Sequence, residues 1–322
     1  MKILITGTAG FIGYHLSLNL LKLNFQIYGI DNLNNYYDVK LKIDRLKILK
    51  KNKNFNYKKI DITNKKNLEN FVKGKKIDLI INLAAYAGVQ YSLKNPYKYF
   101  YTNELGFLNI CEISKKYKIN KVLFASSSSI IGDNNKIPFI EENRTDKPIS
   151  LYGVTKKNNE ILAYYYSKFF KIKFIGLRFF TVYGPYGRPD MSIFKFTRDF
   201  LNKKTIKIYN HGNHTRDYTY ISDAVQGIIN AMKKYKKKRK KPIFQTFNIG
   251  NNKPQKLLHV VKTISKILKI KPHLKFINFQ AGDMKNTSAS ITKAQKLINY
   301  KPKTKFFEGV KKFVDWYQLY YK

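Results

Sequence analysis

The sequence predicts an α/β protein: a doubly wound parallel sheet with a smaller C-terminal lobe set over it. Two observations carry that prediction. Short apolar runs alternate with stretches of helical periodicity, and the first run feeds straight into a glycine-rich turn that opens a helix. Beyond about residue 180 the punctuation changes, with Gly184-Pro185, Gly187-Arg188-Pro189, Gly212, Pro254, Pro272 and Pro302 interrupting the alternation.

The first strand is Lys2-Ile-Leu-Ile-Thr6, followed by the turn Gly7-Thr-Ala-Gly10-Phe-Ile-Gly13 and a helical stretch from Tyr14 to Leu23. A second apolar run, Gln26 to Ile30, ends at Asp31. Further strands are expected at 55–60, 78–83, 121–126, 172–178 and 244–249, separated by helix-like intervals. Strands that are apolar along their whole length belong in a parallel sheet covered on both faces. Residues 1–180 are therefore expected to form the sheet domain, joined later by 219–249, which holds a helix at 219–232 and the last strand. Residues 181–218 and 250–322, ending in an aromatic helix from Phe306 to Tyr321, are expected to form the smaller lobe. It would lie over the carboxyl ends of the strands, where open α/β sheets bind ligands.

Composition narrows the function. Of 322 residues 43% are hydrophobic, with 25 Tyr and 23 Phe, enough for a sizeable core and unlike a disordered basic tail. Lys+Arg number 62 against 20 Asp+Glu, a net charge of +42. Only seven of these cations are arginines (45, 144, 178, 188, 198, 216, 239), and the lysines run along the whole chain. A nucleic-acid binder would gather them into a stripe, so no specific nucleic-acid partner is expected. The one dense cluster, Lys233 to Lys241, reads as a solvated loop after a helix. The single Cys111 excludes an internal disulfide and a multi-thiolate metal site, and reads as a small buried residue. The five histidines (15, 211, 214, 259, 273) have no metal-ligand spacing. No apolar run reaches the roughly 18 residues of a membrane span, and the N-terminus lacks a signal-peptide core. A cytoplasmic protein free of metal and membrane is expected.

The glycine turn predicts a dinucleotide site. Gly7, Gly10 and Gly13 let the backbone turn tightly and approach a pyrophosphate at the start of the following helix. Asp31 closes the next strand 18 residues past Gly13, where a carboxylate accepts the ribose hydroxyls and repels a 2′-phosphate. That favours NAD over NADP. Asp61, after the third strand, could reach the adenine edge, or could instead cap the turn before Thr63 and Asn64.

Tyr152 and Lys156 stand four residues apart, on one face of a helix. A phenol titrates near 10 and an ammonium near 10.4, so neither is a base at neutral pH alone. A neighbouring ammonium would favour the phenolate and lower its pKa. By spacing alone an exposed surface pair is the favoured reading, in a chain with 25 Tyr and 55 Lys. Upstream, Phe124-Ala-Ser126-Ser-Ser-Ser129 ends a strand with four hydroxyls at the carboxyl edge of the sheet. A glycine turn, a serine-ended strand and Tyr-x-x-x-Lys, in that order, describe hydride chemistry on an alcohol.

The order and spelling of these motifs resemble the extended short-chain dehydrogenase/reductase family, and within it the NAD-dependent nucleotide-sugar epimerases. Gly29 to Lys42, Leu177 to Met191 and Arg216 to Asp223 are similar to UDP-glucuronate 4-epimerases, as are Gln280 to Met284, Tyr300 to Thr304 and Phe313 to Tyr321. The resemblance spans essentially the whole chain. It departs at Ile130-Ile131-Gly132, where the family usually has Val-Tyr-Gly, and at Ser222 and Ser290, where aspartates are common.

What the resemblance implies is a Rossmann-type fold and an isomerase that uses NAD on a UDP-sugar. Tyr152 would be the general base, Lys156 would hold the nicotinamide ribose, and Ser127 would hydrogen-bond the sugar 4-oxygen. The cofactor site would comprise Gly7, Gly10, Phe11, Ile12, Gly13, Asp31, Asn32, Asp61, Ile62, Leu83, Ala84, Ala85 and Asn103, together with Tyr152 and Lys156. Ser128, Ser129 and Thr181 would lie near the sugar C6, Arg188 near the sugar or diphosphate, and Arg216 with Asp283 on the UDP. The implied reaction converts UDP-glucuronate to UDP-galacturonate through a 4-keto sugar. UDP-glucose or UDP-N-acetylglucosamine is the alternative substrate, and a dehydratase, a decarboxylase or a non-catalytic NAD sensor are further alternatives. The stretch after the serines carries no carboxylate of the kind dehydratases and decarboxylases use. Helices near 97–117 and 153–169 would pair with a second subunit as a four-helix dimer interface.

Overall fold

The structure is a computed structural model that describes residues 1–132, 136–234, 244–280 and 282–322. The first half runs β1 (Lys2–Thr6), α1 (Phe11–Lys22), β2 (Gln26–Asp31), α2 (Val39–Lys50), β3 (Phe55–Lys59), α3 (Lys65–Val72), β4 (Leu79–Asn82), α4 (Val89–Lys94), α5 (Pro96–Tyr99), α6 (Gly106–Lys116), β5 (Lys121–Ser127) and α7 (Leu151–Phe170). The second runs β6 (Lys173–Phe179), β7 (Thr181–Tyr183), α8 (Ser192–Leu201), β8 (Ile206–Tyr209), β9 (Thr215–Arg216), β10 (Tyr218–Tyr220), α9 (Ile221–Lys234), β11 (Phe244–Ile249), β12 (Gln255–Lys256), α10 (Leu257–Leu268), β13 (Leu274–Ile277), α11 (Thr292–Ile298) and α12 (Phe306–Tyr320).

Seven parallel strands make one sheet in the order β11-β6-β5-β4-β1-β2-β3. This is the expected Rossmann-type doubly wound α/β sheet, and its strand order reverses between β1 and β4. Alternation within single strands shows why the runs are wholly apolar. Ile3 and Ile5 of β1 pack into a cluster with Leu16 and Leu20 of α1 and with Ile228 of α9. Leu4, between them, faces the opposite cluster with Phe107 and Ile110 of α6 and Phe71 of α3. Each apolar residue of β1 thus buries against a helix layer on one face or the other.

The last strand joins the sheet edge beside β6, with Phe247 opposite Leu177. The remaining strands form three two-stranded pairs, β7 with β10, β8 with β13 and β9 with β12. Asp217, fully buried between β9 and β10, gathers this region: its carboxylate accepts Asn251 N at 2.6 Å, Asn252 N at 2.9 Å and Ala289 N at 2.9 Å. The aromatic helix α12 packs on α8 through Phe194, whose ring centre lies 5.7 Å from Phe313 and 5.2 Å from Tyr317.

Three boundaries differ from expectation for local reasons. The helix expected at 219–232 runs Ile221–Lys234, because Tyr218–Tyr220 pair as a strand with β7. Helix α1 begins at Phe11 rather than Tyr14, because Gly10 is already its N-cap and the glycine turn passes directly into the helix. The stretch expected as one helix near 97–117 runs from Pro96 to Lys116 but widens to a π-helical turn over Phe100–Leu105, a register change that periodicity does not signal. Cys111 is fully buried on α6, and burial pushes its thiol well up. Lys233 and Lys234 close α9; the rest of the 233–241 basic run lies outside the described residues. Among the described residues no helix is long and apolar enough to cross a membrane.

Candidate active site

The glycine turn forms because only glycine fits it. Gly7 has φ +69°, and a Cβ there would stand 2.8 Å from Ala84 N; a Cβ on Gly13 would stand 2.1 Å from Gly7 O. Thr6 fixes the facing loop, donating to Asn82 Oδ1 at 2.6 Å and accepting Ala84 N at 3.0 Å. No side chain caps α1, so its first-turn amides have no side-chain acceptor, the condition under which a helix N-terminus receives an anion. At this reversal point lies an open cleft of about 80 Å³.

Nine of the residues expected at the cofactor line that cleft: Gly7, Gly10, Asp31, Asn32, Asp61, Ile62, Leu83, Ala84 and Ala85. Asp31 is tied at both oxygens, accepting Ala9 N at 3.1 Å and Leu33 N at 2.9 Å. Burial pushes its carboxyl up, and those two amides with the Lys42 and Arg45 charges oppose it. Asp61 takes the turn role, its Oδ1 accepting Thr63 N at 2.9 Å, and it also lines the cleft, where Oδ2 accepts Asn32 Nδ2 at 2.7 Å. A glycine cradle, uncapped helix amides and a carboxylate beyond the second strand fit NAD. Phe11, Ile12 and Gly13 form the first turn of α1 and are not among the residues that line the cleft. Asn103 is different: buried in the helix layer, it accepts Tyr86 N at 2.9 Å and donates to Tyr86 O and Thr155 Oγ1, both at 3.0 Å. It clamps the loop after Ala85 to α7 and does not line the cleft.

Tyr152 and Lys156 are buried, 9% and 2% exposed, which excludes the surface-pair reading. Helix α7 starts against the serines, with Ser150 capping Gly153 N at 3.1 Å, and a Cβ on Gly153 would stand 2.4 Å from Ser129 O. Ser127 ends β5; its hydroxyl accepts Ser129 N at 3.1 Å, leaving its own proton to donate. The electrostatics correct one expectation. Burial raises the Tyr152 phenol, and the groups that oppose this are the Ser127 hydroxyl, in hydrogen-bonding reach, and the Arg188 charge; Lys156 is not among them. Lys156 itself is pushed down to about 7 by burial. Desolvation therefore dominates both groups, because α7 buries them together.

On the substrate side, Ser128 and Ser129 form a half-buried 3₁₀ turn after β5, and Thr181 opens β7, its amide held by Asp217 O at 3.0 Å. Arg188 pairs with Asp190 through Nε at 3.0 Å and Nη2 at 2.5 Å, and Asp190 also accepts Tyr36 OH at 2.8 Å. Thr181 and Arg188 line a second, narrow hollow with Met191, Phe194 and Tyr218. Arg216 donates to Asp283 Oδ1 at 2.8 Å. The sequence reading missed Asn34, Tyr36, Tyr37, Lys42 and Thr102, which also line the cleft. The signal was present in the polar, aromatic run Asn34-Asn-Tyr-Tyr-Asp38 directly after Asp31. Among the described residues no group of His, Cys, Asp and Glu could hold a metal.

Known proteins resemble this chain over its whole length. An uncharacterized protein of Methanocaldococcus jannaschii is 50% identical over 98% of this chain and 96% of its own. UDP-glucuronate 4-epimerase of Thermodesulfobacterium geofontis is 40% identical, covering 97% of this chain and 95% of the relative. The crystal structure of a mutant UDP-glucuronic acid 4-epimerase from Bacillus cereus, in complex with UDP-4-deoxy-4-fluoro-glucuronic acid and NAD, is 33% identical. It superposes with a TM-score of 0.93 over 100% of both chains. Residues 3–250 match the NAD dependent epimerase/dehydratase family, and the chain belongs to that family.

Proposed function

We propose that this protein is an NAD-dependent UDP-sugar 4-epimerase whose substrate is UDP-glucuronate and whose product is UDP-galacturonate. The observation that carries the reading is the buried Tyr152 beside Ser127, at the carboxyl end of β5 and next to a cleft shaped for NAD. Full-length likeness to UDP-glucuronate 4-epimerases supports it.

Tyr152 accepts the proton of the sugar 4-hydroxyl, and Ser127 donates to the same oxygen and holds it in line. NAD, when bound, would supply a reversible acceptor for the C4 hydride, so that its return to the opposite face of the turned-over sugar would leave no cofactor consumed. Lys156, pushed down to about 7 by burial, orients the nicotinamide ribose; the Arg188 charge and the Ser127 hydroxyl are what favour the phenolate of Tyr152. Ser128, Ser129 and Thr181 hold the C6 carboxylate out of alignment with the C4 ketone, which otherwise invites loss of carbon dioxide. Arg188 serves the sugar or diphosphate, and Arg216 with Asp283 the UDP. Ile130 and Ile131 are fully buried in the core where a dehydratase would place an acid and base, which favours the epimerase.

Residues 1–180 with 219–249 serve as the NAD unit and 181–218 with 250–322 as the nucleotide-sugar lobe. The position of β11 in the sheet, and of Thr181, Arg188, Arg216 and Asp283 outside it, supports that division. The working form is a homodimer. Tyr101, Leu105, Leu108, Ile161, Tyr165 and Phe169 are exposed on the two neighbouring helical segments, which Glu104 and Asn158 join at 2.9 Å; apolar exposure of this extent marks an interface. A single free, buried cysteine suits the cytoplasm.

The test is incubation of the purified protein with UDP-glucuronate, UDP-glucose and UDP-N-acetylglucosamine without added NAD, with products read by NMR. Formation of UDP-galacturonate from UDP-glucuronate is expected. Turnover of none of the three would sink the assignment, and accumulation of a UDP-pentose would contradict the role given to Ser128, Ser129 and Thr181.

A further inference from the structure

Arg45 is fully buried on α2, yet none of its hydrogen-bond partners carries a charge. Nη1 donates to Ala9 O at 2.7 Å and Tyr37 OH at 2.8 Å; Nη2 donates to Tyr186 O at 2.6 Å and Gly187 O at 3.3 Å. A buried guanidinium without a carboxylate partner is costly to desolvate and weak evidence for stability. What it does here is geometric. Its planar fork reaches in two directions at once, toward the glycine turn and toward the segment that carries Arg188.

Both ends of that bridge are held elsewhere. Ala9 presents its amide to Asp31 and its carbonyl to Arg45, so the glycine turn is set between the two. Pro185 O accepts His15 Nε2 at 2.8 Å, and Tyr186 lies in the left-handed region at φ 55°, a conformation a tyrosine adopts only when its surroundings impose it. The neighbouring Tyr36 donates to Asp190 at 2.8 Å, and Asp190 pairs with Arg188.

We propose that Arg45 is a positioning residue that couples the two ligand sites, bracing the glycine turn against the 184–190 segment so that NAD is held more tightly when the UDP group is bound. This rests on the proposed function. Coupling of this kind is reciprocal and commonly amounts to a factor of about 5–150. Arg45→Lys keeps the charge but replaces the fork with a point donor, which cannot serve Ala9 and Tyr186 together.

The experiment loads the holoenzyme with radiolabelled NAD and chases it with excess unlabelled NAD, with and without saturating UDP. UDP binding is measured separately by calorimetry. UDP is expected to slow NAD exchange about tenfold in the wild type and less than twofold in Arg45→Lys. Tyr37→Phe, which removes the hydroxyl that accepts Arg45 Nη1 at 2.8 Å, is expected to weaken the effect of UDP to about threefold, and it decides the matter if Arg45→Lys fails to fold by circular dichroism. A wild-type UDP effect preserved in the folded variants overturns the proposal. So does wild-type exchange indifferent to UDP although UDP binds, whereas wild-type protein that binds no UDP overturns the function on which the proposal rests.

Discussion

Arg178 grips Glu160 through two buried hydrogen bonds, Nε to Oε1 at 2.9 Å and Nη2 to Oε2 at 2.8 Å. The same carboxylate accepts Ser126 Oγ at 2.6 Å, and Arg178 Nη1 donates to Glu141 O at 2.8 Å. Since Glu160 lies on the helix of Tyr152 and Ser126 precedes Ser127, this pair locks the helix and the strand end into one register.

Removing one partner leaves the other charge buried and uncompensated. Arg178→Met should lower unfolding stability by about 3–5 kcal/mol, read from urea denaturation midpoints. A stability within about 0.5 kcal/mol of wild type, the range of an ordinary surface substitution, would show that the network does not hold the fold.

Tyr152→Phe keeps the ring, which packs edge-on against Tyr99 at 6.3 Å, and removes only the proton acceptor. Turnover should fall about 10²- to 10⁴-fold, while NAD released on denaturing the purified variant stays stoichiometric. A non-catalytic sensor would be indifferent to the change, so retained NAD with full activity would count against the assigned base.

Lys156 titrates at about 7 in the fold against 10.5 unperturbed. Between those values the unfolded chain binds the proton that the folded one has lost, so stability conferred at this position rises with pH across that window. Below it both states are protonated and the full burial penalty applies. The difference in stability between wild type and Lys156→Met should therefore shift in favour of the wild type from pH 7 to 10. Parallel pH profiles would show that Lys156 is not desolvated.

Asp31 places a carboxylate at the cleft, with the Lys42 ammonium close enough to oppose the effect of burial on it. Asp31→Ser removes the charge that repels a 2′-phosphate and leaves the cation that attracts one. The ratio of NADP to NAD affinity should rise at least about tenfold, on the order of one charge interaction near a protein surface, measured by calorimetric titration.

Phe169 is 64% exposed on the apolar face shared with Ile161 and Tyr165. If that face joins two copies, Phe169→Glu places a charge in the seam, and sedimentation velocity should move from a dimer to a monomer. A wild type that sediments as a monomer removes the dimer from the account.

The order of strands and helices was legible from the chain because it depends on local matters: apolar runs that need cover on both faces, and a glycine turn whose backbone other residues cannot follow. Asp31, Ser127 and the Tyr152–Lys156 spacing were legible for the same reason, each being placed by its own strand or helix. Three things required the folded chain. Asn103 reads as a cofactor residue by resemblance, but its amide is spent on Tyr86 and Thr155, two segments distant in sequence. The charge state of Tyr152 and Lys156 follows from burial, and burial is set by everything packed around α7 rather than by the four-residue spacing. Arg45, unremarkable in a lysine-rich helix, acquires its meaning only when Ala9 and Tyr186, 177 residues apart in the chain, meet at its two amino groups. Local pattern determines which elements form and which face they bury; long-range contact alone decides what each polar side chain finds there, because its partners come from elsewhere in the chain.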